Sequence, residues 1–136
     1  MSPKLALIPA LALAACAPLP EPLPTPSGAV ALTAEPLSVR SGQTVTLVLR
    51  NGTSGQVGYN LCSSALESGS GGEWRQVPTG RVCTRELRIL EPGREVRYHL
   101  QLPPGLAAGP YRFTTNVELA GTSSGRVSSN AIAVVP

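Results

Sequence analysis

Short segments in which apolar and polar residues alternate follow one another from residue 29 to residue 136, with turn residues between them. The clearest is Val96–Leu102, where apolar residues occupy every second position and Arg97, His99 and Gln101 lie between them. A strand with one buried face has this two-residue period, and no window past the first residues shows the 3.6-residue period of a helix. The pattern therefore predicts an antiparallel all-β domain.

Eight segments are candidates for the strands of this domain. The stronger candidates are Thr44–Arg50, Val96–Leu102, Tyr111–Leu119 and Asn130–Val135, and the weaker ones are Ala29–Ala34, Val57–Cys62, Glu73–Val77 and Thr84–Leu90. About seven or eight short strands in a domain of this length is typical of an immunoglobulin-like antiparallel β-sandwich. We therefore predict such a sandwich over residues 29–136.

Several turn and core positions of the domain have a recognisable spacing. They are Val39, Gly42, Val45, Leu47, Leu49, Asn51, Trp74, Pro92-Gly93 and Gly109 with Tyr111-Arg112-Phe113. This spacing resembles that of the bacterial immunoglobulin-like domains carried by exported and surface-attached proteins. The resemblance implies that the Tyr111 hydroxyl bonds back to the turn before its strand. The two central strands lack the Cys pair of antibody-type domains, so antibody-like binding loops are not implied.

The first residues have the parts of a secretory signal peptide. Lys4 precedes an apolar run from Leu5 to Ala15, which ends in Leu13-Ala14-Ala15-Cys16. These last four residues match the lipobox, so the segment resembles a bacterial lipoprotein signal. The resemblance implies that residues 1–15 are removed and that Cys16 is acylated on its sulfur and usually on its amine, by fatty acids such as palmitate. Ala17, which is not Asp, favours the outer membrane of an organism that has one.

Two other readings of this segment stay open. A transmembrane anchor needs about 20 apolar residues, and the run between Lys4 and Cys16 is shorter and contains Pro9. An ordinary signal cleaved elsewhere would leave Cys16 as a free thiol.

Residues 16–28 are predicted to be a tether between the lipidated Cys and the domain. Pro occupies positions 18, 20, 22, 24 and 26 and bars both helix and sheet. Twelve polyproline-like residues at about 3.1 Å each would reach roughly 35 to 40 Å. The segment is read as a spacer, with a ligand for an aromatic-lined groove as the alternative.

Composition argues against most catalytic chemistry. After residue 15 the chain contains no Lys and no Asp, ten Arg, eight Glu and the single His99. Such a chain has no Asp-rich calcium loop, no His-based zinc cluster and no Ser, His, Asp triad. A Ser, His, Glu trio stays possible in composition, but no Ser lies in a nucleophile-elbow motif. We therefore expect no enzyme activity, no cofactor and no metal, and the small scattered charge predicts no nucleic-acid partner.

Cys62 and Cys83 remain as a pair once Cys16 carries lipid. In an oxidising compartment such a pair predicts a disulfide, which by loop-closure entropy would stabilise the domain by about 3 kcal/mol. The spacing is not that of a Cys-x-x-Cys redox motif. Free thiols and metal binding remain as alternatives.

A candidate binding surface is formed by Arg75, Arg81, Arg85, Arg88 and the single Trp74. Guanidinium groups pair well with phosphate and carboxylate, so lipid headgroups or acidic glycan are conceivable partners. Interleaved Glu residues support the plainer interpretation of a solvated charged face. For Trp74 the choice lies between a residue that covers the sheet and an exposed platform for sugar.

A second family resemblance concerns two loops. Asn51-Gly52-Thr53-Ser54-Gly55 is partly similar to the Asn-Pro-Thr-Thr-Gly loop of chagasin-like inhibitors of papain-type proteases, and Gly69-Ser70-Gly71-Gly72 fits their Gly-x-Gly-Gly loop. Their Arg-Pro-Trp motif has no match in this sequence. The most similar segment is Pro110-Tyr111-Arg112-Phe113, which has another order and no Trp.

The main hypothesis is a non-catalytic, lipid-anchored cell-envelope protein that serves adhesion, structural support or recognition. Its expected partners are the membrane, through the lipid, and an envelope protein or glycan. Protease inhibition is the alternative.

Overall fold

The computed structural model describes residues 29–119 and 123–136, whose regular structure is almost entirely β-strand. The strands are β1 (Val30–Glu35), β2 (Ser38–Arg40), β3 (Thr44–Asn51), β4 (Val57–Tyr59), β5 (Ala65–Ser68), β6 (Arg75–Val77), β7 (Arg88–Leu90), β8 (Glu95–Gln101), β9 (Gly109–Leu119), β10 (Ser123–Ser128) and β11 (Ile132–Val135). A short 3₁₀ helix, Leu61–Ser63, follows β4. The described residues include no helix of the length and apolarity that would cross a membrane. The predicted signal, lipidation site and tether lie outside the described residues.

The strands form two sheets. Strands β1, β3 and β8 make a three-stranded antiparallel sheet, with β3 in the centre. The larger sheet is built around β9, which pairs with β11 and β10 along one side and with β5 and β4 along the other. Strand β2 pairs with β11 in parallel, and every other pair is antiparallel.

Each crossing of the chain through a sheet is called a path here, and three of these paths are interrupted, so that each contains two strands. The 3₁₀ helix interrupts one path between β4 and β5, residues 78–87 interrupt the next between β6 and β7, and residues 129–131 interrupt a third between β10 and β11. The described strands therefore follow eight paths in two sheets. This is an immunoglobulin-like β-sandwich, and the predicted fold class is confirmed.

Alternate residues of the strands fill the space between the sheets. On β3 these are Val45, Leu47 and Leu49, and on β9 they include Tyr111 and Phe113, all of them buried. The run Asn130–Val135 gives only a four-residue strand, in which Ile132 and Val134 are buried and Ala133 and Val135 face outward. A continuous apolar run thus supplies one buried face, as a strand with one face towards the core of a sandwich requires.

The sandwich has two distinct ends. At one, the Tyr111 hydroxyl donates a hydrogen bond to the Ala107 carbonyl at 2.7 Å, as the sequence resemblance implies. We call this the Tyr111 end, and it carries the turns at residues 41–43, 69–74 and 103–108. The opposite end, which we call the Asn51 end, carries the loops 52–56 and 91–94. The Gly52 amide donates to the Ala29 carbonyl there at 2.9 Å, so the chain enters the domain at the Asn51 end.

Several strands differ from the sequence prediction. Strands β2, β5 and β10 were not predicted, because each is short or polar and owes its conformation to pairing with a neighbour. The candidate Val57–Cys62 is a strand only as far as Tyr59, and the 3₁₀ helix begins two residues later, at Leu61. The candidate Thr84–Leu90 is a strand only over its last three residues, because the preceding part belongs to the loop that contains Cys83.

Candidate functional site

Cys62 and Cys83 form the predicted disulfide, with their Cα atoms 5.8 Å apart. The bond joins the 3₁₀ helix to the irregular segment 78–87 between β6 and β7. The Asn60 side chain also donates to the Thr84 carbonyl at 2.7 Å. A segment without strand pairing is thereby held against the sandwich at two neighbouring points.

Trp74 covers the larger sheet. The guanidinium of Arg112, on β9, lies 4.4 Å from the centroid of the indole ring. The same guanidinium donates through Nε to the Glu67 carboxylate at 2.9 Å, and the Glu67 side chain is only 12% exposed. The ring also lies over Gly69, where an added Cβ would be 2.9 Å from it. With 37% of its surface exposed, Trp74 is a covering residue whose cation–π partner already occupies one face.

We expect Arg112→Ala to uncover Trp74. Because the chain contains one Trp, its fluorescence should move to longer wavelength and acrylamide should quench it more strongly. Loss of the cation should also leave Glu67 unpaired and lower the free energy of unfolding by about 1–2 kcal/mol. The matched control is Arg75→Ala, which removes an exposed Arg one residue from Trp74 and should change neither measurement. Unchanged quenching in Arg112→Ala would show that the stack does not cover the ring.

The arginines of the candidate surface do not form one patch. Arg75 lies 3.8 Å from Glu73 and Arg88 lies 3.7 Å from Glu86, all on exposed side chains. Such pairs contribute little to stability and fit the solvated charged face. Arg85 is also exposed, in the loop before β7.

Strand register separates the candidate residues further. Arg75 pairs with Ser68, which pairs with Tyr111, whereas Arg88 pairs with Tyr59, which pairs with Val117. Six residues along β9 correspond to about 20 Å. Trp74 and Arg75 therefore lie together, at a distance from Arg88.

Arg81 is only partly exposed, and its guanidinium turns towards the protein. Its Nη1 donates to the carbonyls of Cys62 at 3.0 Å and Ser64 at 3.4 Å, and its buried Nη2 has no hydrogen-bond partner. Burial lowers the pKa of the Arg81 guanidinium from its ordinary value, and Tyr98 partly offsets that effect. Arg81 therefore faces the 3₁₀ helix and lies apart from the exposed Arg75, Arg85 and Arg88.

His99 is an exposed residue of β8, as its alternating segment predicts. Its Nδ1 shares a hydrogen bond of 2.8 Å with the Thr46 hydroxyl of the neighbouring strand. This is an outer-face contact between two strands of the smaller sheet.

The two inhibitor-like loops lie at opposite ends of the sandwich. Residues 52–55 precede Val57, which pairs with Leu119 at one end of β9, and the Gly69 amide donates to the Pro110 carbonyl at the other. Nine residues of strand separate these points by about 30 Å. The Asn51 side chain is also fully buried and bonded to its own loop. The two loops are thus not placed to enter one protease cleft together.

One feature of the site was missed by the sequence prediction. Strand β8 is an edge of its three-stranded sheet, and two cavities lie between it and the irregular segment that carries Arg81 and Cys83. Nothing in the local pattern of β8 distinguishes an edge strand from a central one, since both would show the same alternation.

Comparisons with known proteins add little to this description. No family model matches the chain, and no curated protein matches it. Among solved structures, the chain is similar to the ASH / PapD-like domain of human CEP192 (PapD-like domain 7), with a TM-score of 0.36 and 16% identity over 88% of this chain and 97% of that one.

Proposed function

We propose that the chain is an exported protein, held at the cell envelope by lipid on Cys16, whose immunoglobulin-like domain acts without catalysis in adhesion, structural support or recognition. The observation that carries the proposal is the Cys62–Cys83 disulfide. Disulfides persist in exported proteins and are rare in reducing cytosol. The bond therefore supports the export that the signal peptide and lipobox predict.

The position of His99 supports a domain without catalysis. The single His lies on the outer face of a strand and bonds to a Thr hydroxyl. A catalytic imidazole is also oriented by a third group, and among the described residues only Thr46 bonds to the His99 ring.

The direction of the chain supports a role in recognition. Ala29 lies at the Asn51 end, so a lipid anchor reached through residues 16–28 would attach the domain from that end. The turns 41–43, 69–74 and 103–108 would then point away from the membrane, where an envelope protein or glycan is accessible. The arrangement favours recognition over protease inhibition, because the two loops that resemble those of the inhibitors would face in opposite directions.

Cys16→Ser tests the proposal. In the wild type we expect the chain in the membrane fraction, with a mass that lacks residues 1–15 and includes acyl groups. The variant should leave an unacylated precursor, because the sulfur that receives the lipid is absent. The matched control is the double variant Cys62→Ser, Cys83→Ser, which should keep the acyl mass and the membrane location. A wild-type chain found in the cytosol with its first residues intact would refute export.

A further inference from the structure

We propose that the free edge of β8 binds an extended peptide in which an acidic side chain and an apolar side chain are two residues apart. The proposal rests on the recognition role proposed above and names the class of partner. It depends on three features of the described residues, namely an unpaired strand edge, a slot beside that edge and a cation without an acidic partner.

The backbone of β8 offers hydrogen-bonding groups on its outer side. The Asn51 amide donates to the Arg94 carbonyl, and the Leu102 amide donates to the Gln43 carbonyl, each at 2.9 Å. Along an antiparallel pair, every second residue directs its backbone amide and carbonyl to the partner strand. The bonds of Arg94 and Leu102 show that on β8 the even-numbered residues do so towards β3. The amides and carbonyls of Arg97 and His99 therefore point to the outer side, where no described strand pairs with them. Constant-type immunoglobulin domains have a fourth strand at this edge.

Two neighbouring cavities, which both include Tyr98, form a slot along the same edge. Its far wall is the segment from Thr79 to Arg88, which the disulfide and the Asn60 side chain hold in place. Towards the Asn51 end the slot widens into a cavity of about 390 Å³, with Glu86 and Arg88 at its rim. The apolar side chains that line this cavity are Tyr59, Leu61, Val82, Val96 and Tyr98. Its volume would accommodate a Leu-sized side chain against these residues.

The second cavity has a different chemical character. It measures about 340 Å³ and is lined by Thr79, Arg81 and the β8 residues from Tyr98 to Gln101, with no acidic residue among them. Arg81 forms no ion pair with any described carboxylate. A half-buried guanidinium without a counter-ion is an unfavourable arrangement that a carboxylate would relieve. The ligand group expected here is therefore an Asp or Glu side chain.

Strand geometry fixes the spacing between the two ligand groups. Both cavities include Tyr98 in their walls, so they are neighbours along β8. Side chains on one face of an extended peptide recur every second residue, about 6.6 Å apart. Arg81 lines only the second cavity, beside the part of β8 from Tyr98 to Gln101.

The first test uses the full chain, purified in detergent with its disulfide intact, and bead libraries of nine-residue peptides with blocked ends. Two libraries hold a fixed Leu-x-Glu or Glu-x-Leu core with random flanks, and two matched libraries hold Gln in place of Glu. We expect at least tenfold more labelled beads in one of the Glu libraries than in its Gln counterpart. Equal labelling in both pairs would overturn the proposal.

The second test locates the bound peptide. His99→Pro removes the outward amide and leaves the backbone hydrogen bonds to β3. The matched His99→Ala keeps that amide, and both variants lose the imidazole and its bond to Thr46. For a peptide selected in the first test, fluorescence anisotropy should show at least tenfold weaker binding to His99→Pro and a change within about threefold for His99→Ala. Unweakened binding to a folded His99→Pro chain would place the peptide elsewhere and overturn the proposal.

Two further measurements keep the test decisive if His99→Pro does not fold. Two methylated peptides are made, one with N-methyl groups on the odd-numbered amides and one with them on the even-numbered amides. Only one of these two sets of amides donates to β8, so one of the two peptides should lose binding to the wild type. Arg81→Gln should bind the Glu peptide and its Gln analogue equally. Retained binding of both methylated peptides would overturn the proposal, as would retained preference for Glu in folded Arg81→Gln. Neither result would affect the Cys16→Ser test, so failure of peptide binding is distinguishable from failure of the proposed function.

Discussion

Asn51→Ala is expected to lower the free energy of unfolding by about 3 kcal/mol, or roughly 15 °C in melting temperature for a domain of this size. The Asn51 side chain is fully buried. Its amide donates to the carbonyls of Gly55 at 2.8 Å and Leu90 at 2.9 Å, and its oxygen accepts bonds from the Thr53 amide at 2.9 Å and the Thr53 hydroxyl at 2.6 Å. Truncation leaves several of these groups without a partner, and each costs about 1 kcal/mol when water cannot replace it.

Two matched variants separate the hydrogen bonds of Asn51 from the volume of its side chain. Asn51→Asp preserves shape and the acceptor for Thr53, but it directs an oxygen at two carbonyls and buries a charge, so it should destabilise at least as much as Ala. Thr53→Val removes only the hydroxyl and should cost no more than about 1 kcal/mol. Urea denaturation followed by circular dichroism measures all three. A loss below 1 kcal/mol in Asn51→Ala would refute a structural role and leave the residue free for contact with a partner.

The sequence predicts those features of the fold that depend on residues close together in the chain. Val45, Leu47 and Leu49 show the strand period locally, and they lie in the core as expected. The Tyr111 hydrogen bond is also local, since its acceptor lies four residues earlier. Strand β10, with the sequence Ser-Ser-Gly-Arg-Val-Ser, has no such signal, and it is a strand because it pairs with β9.

Contacts between distant residues could not be predicted. The Asn130 side chain bonds to both the amide and the carbonyl of Ala34, at 2.9 and 3.0 Å, and so joins the break between β10 and β11 to the other sheet. These residues are 96 positions apart, and the sequence places Asn130 only at the start of a predicted strand, with no sign of its partner. The inward turn of Arg81 has the same origin, because it depends on a disulfide partner some twenty residues earlier. The sequence therefore did not show that Arg81 lies apart from the other arginines, and it did not show the free edge of β8.

Removal of the disulfide by Cys62→Ala with Cys83→Ala is expected to destabilise the domain by about 3 kcal/mol, because the unfolded chain regains the entropy of a loop 21 positions long. Reduction of the wild type by dithiothreitol should give the same loss, since both treatments free the same loop. The single variants are poorer tests because each leaves a thiol that can pair with another chain.

Hydrogen exchange distinguishes a global effect of the disulfide from a local one. Segment 78–87 has no strand pairing, so it is attached to the sandwich by the disulfide, the Asn60 contact and the two hydrogen bonds of Arg81. In the double variant the amides of residues 60–64 and 79–88 should therefore exchange much faster than those of β3 and β9. The protection factors of β3 and β9 should fall only by the global change in stability. Uniform acceleration across all strands would show that the disulfide acts only on the unfolded chain. The slot beside β8 would then keep its shape without the bond, and peptide binding should survive reduction.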